Sequence, residues 1–209
     1  MTMNKAIFLG SFNPPHIGHY NVIKTVLDSD IMNRCNIDCI HVIPCKQNPN
    51  KNNYNVSYIT RYNMCEMMFK DLINTGKVVI NDIENKISPE YTYDLIKYIK
   101  SGDDKSINKD FWWIITTETL DELISCKWYK SIPLICANRF IVLVKNDKEI
   151  DYFLRSIDWD NKQIHFVKLE NNYDIHSTDI RNNFWVNAKY DDCITQEIKN
   201  YIIENNLYK

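Results

Sequence analysis

Apolar runs of strand length alternate along this chain with segments of helical period, the pattern of a parallel sheet with helices packed against it. The run Ala6-Ile7-Phe8-Leu9 predicts a strand over 5–10, and the next periodic segment predicts a helix over 17–29. A second strand is expected over 37–43, ending at Pro44 and releasing a polar loop over 45–55. Ser57 can then cap a helix running to about residue 73, with Gly76 as its stop. A third strand over 78–81 leads into a loop ending at Pro89, and Thr92 reads as the N-cap of a helix over 93–100 closed by Gly102. The fourth strand, 111–116, is aromatic and β-branched and carries no charge, as a central strand covered on both faces requires. A helical stretch over 118–126, the segment 128–135, a strand over 140–144, a charged helix over 149–157 and a strand over 163–167 follow. The chain then turns through Ser177, enters a helix to about residue 187 and finishes with a helical stretch over 194–204. The pattern predicts a doubly wound α/β domain over 1–209, with a C-terminal helical extension from about residue 177 and no linker or internal repeat.

In such sheets ligands sit outside the carboxyl ends of the strands. Gly10, Pro44, Thr116 and the loop over 81–91 all follow predicted strands, and the first is the most informative. The chain has only 4 glycines and 5 histidines, yet two of each fall in Gly10-Ser11-Phe12-Asn13-Pro14-Pro15-His16-Ile17-Gly18-His19. Gly10 lets backbone approach a bulky ligand, the prolines fix the turn, and two imidazoles meet the N–H groups of a helix start, which is where anions bind. His16 and His19, spaced i,i+3, can face one anion such as a triphosphate. The same pair also fits an ordinary capping-and-core arrangement, or a zinc site, although a third ligand at metal spacing and a cysteine pair are missing.

Composition narrows the ligand. At 209 residues and 44% hydrophobic the chain can bury a full core, while a net charge of -2 and a pI near 6.2 offer no basic excess for nucleic acid. A small anion needs only a few local donors. The 7 cysteines form no Cys-x-x-Cys pair and read as reduced thiols. No apolar run is long enough to span a bilayer and no signal-peptide core precedes Gly10, which predicts a cytoplasmic protein; a homo-oligomer is left open.

The stretch from Gly10 to His19 resembles the nucleotidyltransferase signature G-[ST]-F-[DN]-P-x-H-x-G-H. Ile175-His176-Ser177-Thr178-Asp179-Ile180-Arg181 is similar to the second ATP motif of that superfamily, I-S-S-T-x-I-R, with His176 where the first serine is usual. Pro89-Glu90-Tyr91-Thr92-Tyr93-Asp94-Leu95 looks like P-S-Y-T-x-D-T-L, Lys127-Trp128-Tyr129 like T-W-Y, and the C-terminal run from Tyr201 to Tyr208 like the closing helix of one branch, the bacterial-type nicotinate mononucleotide adenylyltransferases. The resemblance implies a Rossmann-like fold and adenylyl transfer from ATP to nicotinate mononucleotide, giving deamido-NAD and pyrophosphate with Mg²⁺ held mainly by ATP phosphates and water. Nicotinamide mononucleotide as true or additional acceptor, pantetheine phosphate, and a nucleotide-binding module without turnover are the alternatives.

Within that resemblance His16, His19 and Arg181 are the expected catalytic residues. Gly10, Ser11, Phe12, Gly18, Lys46, Lys51, Ser177 and Thr178 are the expected ATP contacts, and Thr92, Glu118, Trp128 and Tyr129 the expected acceptor contacts. The attacking phosphate is already an anion, so no general base is required, only positioning and positive charge. Arg181 lies one turn beyond Ser177, within reach of a phosphate held there. Lys46 and Lys51 equally fit a solvated lysine loop, and Trp128, one of 5 tryptophans, equally fits the core. Thr116-Thr117-Glu118 stands where the family has G-x-D, which predicts a reshaped ribose or Mg²⁺ corner. His41 and His165, within strands, are expected to be structural.

Overall fold

The computed structural model describes residues 3–46, 56–156, 163–169, 175–186 and 188–209. β1 (Asn4–Gly10) runs through the decapeptide into α1 (Ile17–Asp28) and a short α2 (Ile31–Arg34). β2 (Ile37–Pro44) is followed by α3 (Tyr58–Met68), α4 (Lys70–Asn74), β3 (Val78–Ile80), α5 (Ile83–Ile87) and α6 (Thr92–Ser101). β4 (Trp112–Thr116), α7 (Thr117–Ile124), α8 (Ser131–Ala137), β5 (Arg139–Val144), α9 (Asp147–Ser156) and β6 (Ile164–Lys168) complete the sheet region. α10 (Ser177–Asn183), a 3-10 segment over Ala188–Cys193 and α11 (Gln196–Glu204) then follow.

The 6-stranded sheet has the order β3-β2-β1-β4-β5-β6, and all its pairings are parallel. This is the doubly wound arrangement, with the direction of winding reversing between β1 and β4. Strand alternation divides the core in two. Ala6, Phe8, Trp112 and Ile114 face the layer containing α1, α3, α10 and α11, whereas Ile7, Trp113 and Ile115 face the layer containing α6, α7 and α8. Both faces of β1, β4 and β5 are covered, which is why these strands read as continuous apolar runs.

Several local expectations are corrected. The helix expected to run to about residue 73 breaks at Phe69, whose backbone leaves helical geometry (φ -104°, ψ 13°) with its ring fully buried, near Phe12 and Tyr20. Thr92 is the first residue of α6 rather than its cap. Tyr91 holds the cap position, and its N–H donates to Asp94 Oδ2 at 3.1 Å, so the acidic residue at the third helical position decides the start. The expected loop before Pro89 contains α5. Ser57 caps α3 as its sequence position suggests, accepting the Thr60 N–H at 3.2 Å. The helix expected to run to about residue 187 ends at Asn183, with Phe184 in the cap position and packed against the core; the helix end expected near 157 lies outside the described residues, as does most of the loop over 45–55. His41 sits on β2 beside Asn81 (Nδ1 to Nδ2, 2.9 Å) and the His165 ring lies against Trp112, both as structural groups. No helix among the described residues is long and apolar enough to cross a membrane.

Candidate active site

The decapeptide leaves β1 at the point where the sheet changes winding direction, and the Cys45 N–H donates to the Gly10 carbonyl at 2.8 Å, joining it to the end of β2. Phe12 adopts a left-handed backbone (φ 46°), uncommon for a large side chain. Its ring is buried and packs edge-on to Phe8, His19 and Phe69. A Cβ added to Gly10 would lie 2.8 Å from Phe12 Cζ. Gly10→Ala is therefore expected to displace that ring and to lower unfolding free energy by about 1–3 kcal/mol, measured by urea denaturation.

His16 occupies the N-cap position of α1, and its N–H donates to His19 Nδ1 at 3.2 Å; the ring centroids are 3.8 Å apart. Because Nδ1 accepts, the proton of a neutral His19 sits on Nε2. His16 is 5% exposed, and burial, then the nearby His176, push its pKa down to about 4. It is neutral at pH 7 and offers a polar ring rather than a charge. Its Nδ1 is buried with no hydrogen-bond partner among the described residues, and a Cβ on Gly18 would stand 3.0 Å from that ring. An orphaned polar atom beside a glycine marks a place for a ligand.

α10 docks onto the same turn across the fold. Ser177 Oγ donates to the Pro14 carbonyl at 2.9 Å. Arg181 Nη1 donates to the Asn13 carbonyl at 2.7 Å and its Nη2 to Thr178 Oγ1 at 3.0 Å. From the C-terminal end, Tyr208 OH donates to Asn13 Oδ1 at 2.7 Å, so Asn13 is held through both carbonyl and side chain. Between the decapeptide, the end of β4 and α10 lies a cleft of about 980 Å³.

The cleft brings together Gly10, Ser11, Phe12, His16, Gly18, His19, Glu118, Trp128, Ser177, Thr178 and Arg181. Lys46, Thr92 and Tyr129 are not in its lining, and Lys51 lies outside the described residues. Lys46 turns to α5: its Nζ donates to Ser88 Oγ at 2.6 Å and its N–H to Glu84 Oε2 at 2.7 Å. Tyr129 belongs to an aromatic cluster in which the Tyr91 and Tyr129 rings lie 4.5 Å apart and Lys130 Nζ sits 4.5 Å from the Tyr93 ring, and Thr92 opens α6 between Tyr91 and Tyr93 in the chain. Trp128 links that cluster to the cleft. Its indole N–H donates to Glu122 Oε2 at 2.7 Å, and its half-buried ring lies 6.1 Å from that of Trp113. Glu118 is exposed in the first turn of α7, after Thr116 in the cap position.

Sequence reasoning passed over Lys145, which lines the cleft just beyond β5; the strand-end rule that selected Gly10 would have found it. It also passed over Arg61 and Glu84, both buried beneath the loops, whose positions carry no signal in helical periodicity. Among the described residues no group of three or more His, Cys, Asp or Glu side chains could hold a metal ion by itself.

Three buried groups set a pH dependence of stability. Burial lowers His16 and His41 from 6.5 to about 4 and raises Glu84 from 4.5 to about 7. Between pH 6.5 and 4.5 the unfolded histidines bind protons that the folded ones refuse, so each removes stability as pH falls. Glu84, protonated more readily when folded, acts in the opposite sense. Two against one leaves a net loss from these groups of about 1.4 kcal/mol per pH unit across that window. Urea denaturation at successive pH values checks this, with a level or rising stability on acidification as the contrary result.

Comparison with known proteins agrees with this architecture. The cytidylyltransferase-like family model matches residues 7–183. The probable nicotinate-nucleotide adenylyltransferase of Fusobacterium nucleatum is 37% identical over 185 residues, covering 86% of each chain, and that of Staphylococcus epidermidis is 30% identical over 209 residues, covering 99% of this chain and 98% of its own. In fold, the chain is similar to the Plasmodium falciparum nicotinic acid mononucleotide adenylyltransferase complexed with NaAD, with a TM-score of 0.75, 22% identity and coverage of 99% and 98%. The chain belongs to the cytidylyltransferase-like family, on the branch of the nicotinate-nucleotide adenylyltransferases.

Proposed function

We propose that the cleft transfers the adenylyl group of ATP to nicotinate mononucleotide, giving deamido-NAD and pyrophosphate in NAD biosynthesis. The observation that carries this reading is the joining of the two distant segments, through Ser177 to Pro14 and Arg181 to Asn13, around one cleft at the sheet's switch point. An oxygen of the acceptor's 5′-phosphate attacks the α-phosphorus, the bond from that phosphorus to the oxygen bridging the β-phosphate breaks, and pyrophosphate leaves with the electron pair. No proton has to move. The chain supplies the opening N–H groups of α1, the His19 Nε2 proton and the Arg181 guanidinium, all aimed at charge that grows on the leaving group. The Thr178 hydroxyl, which accepts from Arg181, keeps its own proton as a neutral donor, while the Ser177 hydroxyl spends its proton on the Pro14 carbonyl.

Glu118 and Asp179 both line the cleft, and carboxylates suit Mg²⁺ that keeps its waters and is held mainly by nucleotide phosphates. When bound, the ion neutralises phosphate charge. The exposed position of Glu118 in the first turn of α7 lets it meet a hydrated ion or ribose hydroxyls despite the extra methylene. On the acceptor side the Trp128 ring, which lines the cleft, offers a face for the pyridine, and the family resemblance assigns the carboxylate to Thr92 and the Tyr129 backbone. Pyrophosphate release measured with nicotinate and with nicotinamide mononucleotide tests the reading: turnover preferring the acid supports it, preference for the amide overturns the acceptor, and no release with either overturns the reaction.

A further inference from the structure

Arg61, on α3, is fully buried and does not line the cleft, yet it reaches both the decapeptide, which does, and the segment that follows β2. Its Nη1 donates to the Ser11 carbonyl at 2.7 Å and its Nη2 to the Lys46 carbonyl at 3.1 Å. Ser11 follows β1 and Lys46 follows β2, two strands paired in register as far as Gly10 and Pro44. Beyond Lys46, Glu84 is also buried and accepts the Lys46 N–H at 2.7 Å, while the guanidinium carbon lies 5.7 Å from the Tyr58 ring centroid. One planar fork thus ties two loops to one helix, a task that a lysine ammonium cannot repeat with the same geometry.

The consequence for the cleft follows from peptide geometry. In a trans peptide the carbonyl and the next N–H point in opposite directions. Drawing the Ser11 carbonyl onto Arg61 turns the Phe12 N–H away from Arg61, in a segment whose two residues both line the cleft. Phe12 at φ 46° holds that orientation against its own backbone preference, so a group outside the segment has to maintain it. We propose that Arg61 is a positioning residue for adenylyl transfer, setting the Ser11–Phe12 peptide against the nucleotide phosphates and holding the start of the 45–55 loop in step with it. This rests on the reading of the cleft as the adenylyl-transfer site.

Arg61→Gln, neutral and able to donate to one carbonyl only, is compared with Arg61→Lys and the unaltered protein by steady-state kinetics, thermal melting and amide hydrogen exchange. The expected result for Arg61→Gln is a kcat lowered by about 30–100-fold with both KM values within about threefold, because misaimed groups lose rate more than affinity. Exchange should rise in residues 10–13 and 44–46 well below the melting temperature, and Arg61→Lys should recover melting temperature more than kcat. A kcat per folded molecule within about twofold of the unaltered protein, or an exchange rise spread over the whole sheet, overturns the proposal. Failure of both variants to fold does so too, since Arg61 would then serve the fold alone. If the unaltered protein forms no dinucleotide, the functional reading falls on that arm, while the exchange pattern still decides what Arg61 holds.

Discussion

Replacing His19 by alanine is expected to lower kcat for dinucleotide formation by about 100–1,000-fold, the range for losing one well-placed donor to transition-state charge. The imidazole has two tasks that can be separated. Its Nδ1 accepts the His16 N–H at 3.2 Å at the start of α1, and that bond assigns the proton of the neutral ring to Nε2. Alanine removes both, and the lost hydrogen bond costs about 1 kcal/mol of stability. Asparagine keeps a side-chain acceptor for the His16 N–H but has no imidazole. His19→Asn is accordingly expected to melt nearer to the unaltered protein while remaining as slow as His19→Ala. If His19→Asn recovers the rate as well as the stability, the histidine is a cap and nothing more. Pyrophosphate release and thermal melting on the same preparations decide between the two.

Arg181→Ala is the other change of comparable size, again about 100–1,000-fold in kcat/KM for ATP. Here structure and chemistry are harder to divide, because the guanidinium that would meet the phosphates also donates to the Asn13 carbonyl at 2.7 Å and to Thr178 Oγ1 at 3.0 Å. These bonds hold α10 against the decapeptide, so the alanine variant loses both a charge and part of the cleft wall. Arg181→Lys separates them. An ammonium restores the charge but not a planar fork reaching two acceptors, so recovery of about tenfold over alanine, short of the full rate, is expected. Full recovery with lysine would leave charge alone as the contribution of Arg181. Steady-state kinetics with ATP varied and the pyridine nucleotide saturating reads this directly.

The parallel sheet was legible in the sequence because its central strands are buried on both faces. Ala6 to Phe8, Trp112 to Ile115 and Phe140 to Val144 admit nothing but apolar side chains, and such runs stand out against any background. Short elements were not. α5 has too few residues to show a period, and its presence redirects Lys46 toward Ser88 and Glu84. Phe69 ends α3 through tertiary packing that no local pattern announces. Motif residues that lie close in sequence, such as Gly10 to His19, were found together because they share one turn. Those that act by reaching across the fold were found only where a motif marked them, as at Ser177 and Arg181. Arg61 reads as an ordinary helical arginine until its two carbonyl partners are known, and Tyr208, within the run that resembles a closing helix, has no assigned role until it meets Asn13.

The departures from the family motifs have physical settings too. His176 takes the cap position of α10 and bears on His16 electrostatically, helping to keep that buried ring neutral. The most direct test of the cleft as the ATP site is a crystal structure with a non-hydrolysable ATP analogue. The phosphates are expected in the cleft between the decapeptide and α10, within hydrogen-bond distance of both His19 Nε2 and the Arg181 guanidinium. An analogue whose phosphates lie elsewhere, touching neither side chain, would contradict that expectation.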